Sequence, residues 1–183
     1  MLTMICMPAI LLADDSKYLA GAVPEVDGKV VFTKEFDLPG LDRNSVYDHI
    51  YNWLDGRMKA NNNTSRIVYA EKEKWQIVAA VEEYIVFADK ALLRDRALLS
   101  YNIVVSCSSG KCEVRIERIR YKYDDKKYTA EEIIADNIAL NKKKTSIYVG
   151  CKKFRIKTVD YVDDMFENVH AFFNGKDDAS KTK

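Results

Sequence analysis

Apolar and polar positions along the chain fall into two rhythms, one of period two and one of period near 3.6. From residue 29 to 38, Val30, Phe32, Phe36 and Leu38 alternate with Val31, Thr33, Glu35 and Asp37, as in a half-buried strand, with Lys34 the exception. Pro39-Gly40 ends that strand. Asp42 or Asn44 can then cap a helix that carries Val46, Ile50, Trp53, Leu54 and Met58 on one face. Ser45, Asp48, His49, Asn52 and Asp55 share its wet face, and Asn61 to Thr64 is a loop.

Four more strands are predicted, over residues 66–71, 75–87, 98–107 and 112–123. Leu99, Tyr101, Ile103, Val105 and Cys107 alternate with polar or smaller neighbours, and Cys112, Val114 and Ile116 do the same in the next strand. Ser108-Ser109-Gly110-Lys111 joins the two. If that turn makes a hairpin, Cys107 opposes Cys112, Val105 opposes Val114 and Ile103 opposes Ile116, so turn length and both apolar phases select one register. Past Ile116 the phase jumps to Ile119, Tyr121 and Tyr123, an odd offset that predicts a β-bulge near Glu117-Arg118.

Thr129 and Glu132 have capping-box spacing ahead of Ile133, Ile134 and Ile138, so a short helix is expected there. The stretch 142–156 is ambiguous. Thr158 can cap a final helix with Val159, Val162, Met165, Phe166, Val169, Phe172 and Phe173 on one stripe and Gly175 past its end. The order is strand, helix, four antiparallel strands, helix. That is an α+β protein with helices packed on one face of a curved sheet and the other face free for solvent or a partner.

Composition narrows the function classes. The 183 residues include 29 Lys or Arg against 28 Asp or Glu, a net charge of +1 that argues against a dedicated nucleic-acid binder. With 48% hydrophobic residues the chain has the apolar content of a folded domain and needs no disulfide framework or structural metal for stability. Residues 1–13 (MLTMICMPAILLA) carry no charge and are followed at once by Asp14-Asp15-Ser16-Lys17, which resembles the end of an export signal cleaved after Ala13. Leu11 breaks the small-residue rule and the basic leader is missing, so an apolar segment docked on the core is the alternative. A run of that length is too short to span a bilayer, which takes about 18 apolar residues, so the protein is expected not to be membrane-spanning. Residues 175–183 read as a polar tail.

The run from Val31 to Leu41 (VFTKEFDLPGL), followed by a Tyr-containing helix ending in Trp53-Leu54, resembles the domain of unknown function 4468 family, described as having a TATA-box-binding-protein-like (TBP-like) fold. The resemblance covers residues 28–123, the expected sheet domain, and leaves 124–174 as a helical extension packed on it. It implies a strand-helix-four-strand-helix fold and, because the family occurs mainly in exported proteins of Bacteroidetes, a periplasmic or secreted location. It brings no catalytic residues, binding residues or cofactor.

Candidate chemistry is sparse. No nucleophile elbow, phosphate loop, dinucleotide fingerprint or zinc-protease motif is present. The only histidines, His49 and His170, lie on or beside polar helix faces, and Asp48 next to His49 points away from it. The pair Asp163-Asp164 sits on a helix that needs a polar face anyway. Zinc on Cys107, Cys112, Cys151 and His170 is disfavoured by their spacing. Cys107 and Cys112 can form a disulfide across the hairpin in an oxidising compartment, or stay as two buried thiols in a reducing one.

Seven basic residues and no acid occupy 142–157, namely Lys142, Lys143, Lys144, Lys152, Lys153, Arg155 and Lys157. They could meet phosphates of nucleic acid, anionic envelope lipid or glycan, or simply form a solvated edge. A DNA saddle needs two copies of the repeat and a basic concave sheet, which argues against DNA. The leading expectation is a non-enzymatic exported module without cofactor or metal. Its open sheet face and the groove beside the last helix would bind a partner protein or envelope component. A carrier of a small apolar ligand, with Trp75, Ile77, Tyr101, Ile103 and Phe166 around a cavity, is the second, and a hydrolase the third.

Overall fold

The computed structural model describes residues 15–60, 64–90 and 93–175. The expected export segment and most of the polar tail lie outside them, as do Asn61 to Asn63.

A short 3-10 turn (Asp15–Tyr18) leads into β1 (Glu25–Val26) and β2 (Lys29–Asp37), then α1 (Arg43–Ala60), β3 (Arg66–Glu71), β4 (Gln76–Lys90), β5 (Leu93–Ser108), β6 (Lys111–Tyr123) and β7 (Lys126–Thr129). The helical turns α2 (Ala130–Ile133) and α3 (Asp136–Ala139) precede the long α4 (Val149–Phe173). The sheet order is β1-β2-β6-β5-β4-β3, all antiparallel, with β7 paired to β6.

Register follows the apolar phase. Ala79, Ile103, Ile116 and Phe32 lie in one cross-strand row, and Cys107, Cys112 and Phe36 in another. These rows point inward and are buried beneath α1 and α4. The adjacent rows, such as Val78, Val104, Arg115 and Thr33, point to the other side. Lys34 occupies an inward phase yet stays exposed, and its ammonium lies 5.9 Å from the rings of both Phe36 and Phe166.

The hairpin turn is two residues, Ser109-Gly110, between the paired Ser108 and Lys111. Gly110 has φ 71, a value an L side chain adopts at a cost. Its tip docks on the Pro-Gly turn: Leu38 N–H donates to the Gly110 carbonyl at 2.7 Å, and Gly110 N–H donates to the Leu41 carbonyl at 3.0 Å. Past that turn Asp42 caps α1, its Oδ1 accepting the Ser45 N–H at 2.7 Å.

Four features differ from the sequence expectation. β4 and β5 are longer than predicted and pair as far as Lys90 and Leu93. β1 and β7 extend the sheet. The helix expected after Thr129 breaks into two turns, with Glu132 reaching back to the Thr129 N–H at 2.8 Å. Finally, α4 starts at Val149, and Thr158 is no cap: it is buried within the helix, its hydroxyl 2.7 Å from the Tyr121 hydroxyl.

Candidate binding surface

The two sheet faces have different fates because the strands alternate. The inner face is covered by α1 and α4, while none of the described elements lies over the outer face of β4, β5 and β6. Small and polar side chains line that outer face: Ala80, Glu82, Ser100, Asn102 and Val104, with Glu113, Arg115 and Glu117 from β6.

At its centre is a bulge. Ser100 pairs with Arg120 and Asn102 with Glu117, so Arg118 and Ile119 together oppose Tyr101, and Arg118 adopts φ 57. The bulge falls where the edge of β6 changes partner. β2 pairs with Lys111 to Glu117, and β7 takes over at Arg120, which leaves Arg118 and Ile119 without a strand on that side.

A recess of roughly 680 Å³ opens at this gap, lined among others by Val26, Lys29, Arg115, Arg118 and Glu131. Two neighbouring recesses, of roughly 590 Å³ and 270 Å³, run along the strands, and Arg120 lines all three. Lys29, Arg115, Arg118 and Arg120 in the largest are matched by Asp27, Glu113, Glu117 and Glu131. Such a mixed wall does not favour a polyanion. Burial opposes the charge on Glu131, but the Val30 N–H it accepts at 2.9 Å, with other hydrogen bonds, holds its carboxyl below the usual range. Arg115 Nε is buried without a hydrogen-bond partner among the described residues. Its nearest carboxylate, Glu113, stands 3.9 Å away.

The residues expected to enclose an apolar cavity sit elsewhere. Ile77, Tyr101, Ile103 and Phe166 are packed in the core between sheet and helices, Phe166 edge-on to Phe36, and Trp75 packs against its border. Only Tyr101 also touches one of the three recesses. Its hydroxyl joins a cluster that the sequence reading missed. The Glu83 carboxylate accepts hydrogen bonds from Arg57 at 3.0 Å, from Tyr101 at 2.6 Å and from Tyr161. Burial pushes both tyrosine hydroxyls well above their usual range. One signal was legible: Glu83 occupies the apolar phase between Val81 and Ile85.

The basic stretch divides. Lys142, Lys143, Lys144, Lys152 and Lys157 are exposed. Lys153 turns back to the sheet, 2.9 Å from Asp95 and 4.0 Å from the centre of the Tyr123 ring. Arg155 does not belong to the surface at all. It is fully buried, donating to the carbonyls of Tyr18, Leu19 and Ile134 and to Asp136.

Cys107 and Cys112 face each other as free thiols. Their mutual hydrogen bond pulls the Cys107 thiol below its usual range, and that bond with burial pushes Cys112 well above it. His49 and His170 are both exposed, the first stacked on Phe173 and the second beside Asn174. No cluster of metal-ligating side chains occurs among the described residues.

An open antiparallel sheet with helices on one face defines the chain as an α+β protein of the TBP-like fold. The family described as "Domain of unknown function (DUF4468) with TBP-like fold" matches residues 32–122. A crystallised DUF4468 family protein from Bacteroides ovatus ATCC 8483 is 51% identical, with a TM-score of 0.85 over 87% of this chain and 95% of that one. The chain belongs to this family. A TBP-like protein from Parabacteroides distasonis ATCC 8503, 20% identical, shares the fold at a TM-score of 0.71, covering 84% of this chain and 97% of its own. No curated protein matches the sequence.

Proposed function

We propose that this protein is an exported, non-enzymatic module that holds a partner protein or envelope component against its open sheet face. The observation that carries this reading is the face around the Arg118 bulge, which none of the described elements covers and where Arg120 lines all three recesses. Main-chain groups of Arg118 and Ile119 lack a strand partner on one side, and Arg115 presents a buried unpaired donor. An extended segment with mixed charge and acceptor groups would satisfy both. A catalytic reading lacks support, because the exposed histidines have no acid hydrogen-bonded to them among the described residues.

A photo-crosslinking side chain placed at Ser100 or Asn102 in the native organism tests the reading. The expected result is one discrete adduct from either position and none from Asn52, on the wet face of α1. Equal labelling from all three positions, or none, overturns it. Export rests on residues 1–13, and the envelope-fraction protein is expected to begin at Asp14 when its N-terminus is sequenced.

A further inference from the structure

Beyond that reading, and on a different surface, we propose that the corner formed by α3, the 141–147 loop and the start of α4 docks on an anionic membrane surface. Three of the exposed large apolar side chains gather there: Ile138 at 43%, Tyr148 at 51% and Val149 at 92% exposure. The Tyr148 N–H donates to the Ala139 carbonyl at 2.8 Å, which brings Tyr148 and Val149 alongside the end of α3 that carries Ile138.

Between these prongs the chain projects Lys142, Lys143 and Lys144 at the tip of a closed loop. A bridge between Leu140 and Ile147 forms its neck, and the Asn141 N–H donates to the Ser146 carbonyl at 3.0 Å. The Asn141 side chain also accepts the Thr145 N–H at 2.8 Å. Ala139, Leu140 and Ile147 form a small core beneath. The lysines are therefore presented on a firm base rather than on a loose tether.

Cations outnumber acids at this corner. No acidic residue lies between Asp136 and Asp160. Lys142 and Lys143 make no ion pair among the described residues. Lys144 stands 3.7 Å from Asp136, whose carboxylate is already held by Arg155. Lys152 adds a further exposed cation, paired to Asp15.

Cations and apolar prongs at one corner select among partners. Protein interfaces are depleted in lysine, and nucleic-acid backbones offer nothing to a projecting valine. A bilayer interface uses all three parts: lysines meet anionic headgroups, a tyrosine sits at headgroup level, and an aliphatic side chain enters the acyl boundary.

The test is sedimentation of the full chain with vesicles of phosphatidylglycerol and phosphatidylcholine, against phosphatidylcholine alone. Binding is expected only to the anionic vesicles, and is expected to fall away in high salt. Replacing Lys142, Lys143 and Lys144 together by Gln is expected to weaken it roughly 100-fold, about fivefold for each lysine. Val149→Ser is expected to weaken it several-fold while leaving the salt dependence intact. Val149→Trp is expected to blue-shift its emission on anionic vesicles and not on duplex DNA. Arg118→Glu, on the open sheet face, is expected to leave partitioning unchanged, which separates this proposal from the preceding one. No binding to anionic vesicles, indifference to Val149, or equal binding to duplex DNA overturns the proposal.

Discussion

Arg155 enters the core from α4 and spends its donors on three backbone carbonyls and on Asp136 Oδ1 at 2.6 Å. Two of those carbonyls belong to Tyr18 and Leu19, so one side chain rivets the first described segment to the body of the protein. Removing one partner of a buried ion pair strands the other, so Arg155→Met is expected to cost about 3–5 kcal/mol in urea unfolding. Arg155→Lys is not expected to rescue it, because an ammonium cannot span the same fork. Burial opposes the charge on Asp136, but hydrogen bonds from Arg155 and the Gly21 N–H, together with nearby positive charge, hold its carboxyl below the usual range. A carboxyl held low in the folded state binds its proton later than in the unfolded chain. Its contribution is thus complete above the unfolded value of about 4 and is lost as pH falls through the folded value. Unfolding free energies measured from neutral pH downward are expected to drop below about pH 4, and to drop less in Asp136→Asn.

Cys107 supplies a second test on a single pair. Its N–H donates to the Trp75 carbonyl at 2.9 Å, on the β4 side, so Cys107 and Cys112 form a non-hydrogen-bonded pair with β6. Cα atoms in such pairs stand about 4.5 Å apart, inside the range a disulfide spans. If the chain is exported as proposed, protein purified under non-reducing conditions from its own organism is expected to show an intact mass about 2 Da below the all-thiol value, since bond formation removes two hydrogens. The deficit is expected to survive Cys151→Ser and to vanish in Cys112→Ser.

Elements were legible where pattern and punctuation agreed. The β5–β6 register followed from turn length and phase together, and the bulge from phase, since a one-residue slip would send every apolar side chain to the wrong face. Arg118 carries the bulge in a left-handed conformation that costs an L residue about 1–2 kcal/mol. Arg118→Gly is therefore expected to raise the chemical-denaturation midpoint and Arg118→Val to lower it. The start of α4 was not legible, because Tyr148 provides no side-chain cap and the true first turns carry lysines instead of an apolar stripe. Thr158 drew the prediction because threonine caps helices. In the structure it instead pairs with Tyr121, a contact between elements that spacing does not encode. Thr158→Val leaves the Tyr121 hydroxyl unpaired in the core and is expected to cost about 1–3 kcal/mol, with Tyr121→Phe relieving part of that loss.

Across the whole molecule, β5 and β6 lie inside the sheet, with neighbours along both edges, whereas β3 and β1 close it at the two ends. Native-state hydrogen exchange is expected to reach the amides of β5 and β6 last and those of β1 and β3 first. Protection confined to the helices would contradict the sheet as the stable unit. The same topology creates the candidate binding face, because both long helices return to one side and none of the described elements crosses the other.

Side-chain phase along the chain was enough for β2 to β6, the hairpin pairing of β5 with β6 and the one-sided helices, since a buried face must be apolar at every second or every third to fourth position. The fate of individual charges needed the assembled fold. Seven cations within residues 142–157 end as five exposed lysines, a lysine folded back onto aromatic rings and a fully buried arginine. The meeting of β2 and β7 at the Arg118 bulge, and the Glu83 cluster, likewise join residues distant in sequence. A local pattern records which face a residue takes, but what it meets there depends on chain segments packed against it from elsewhere.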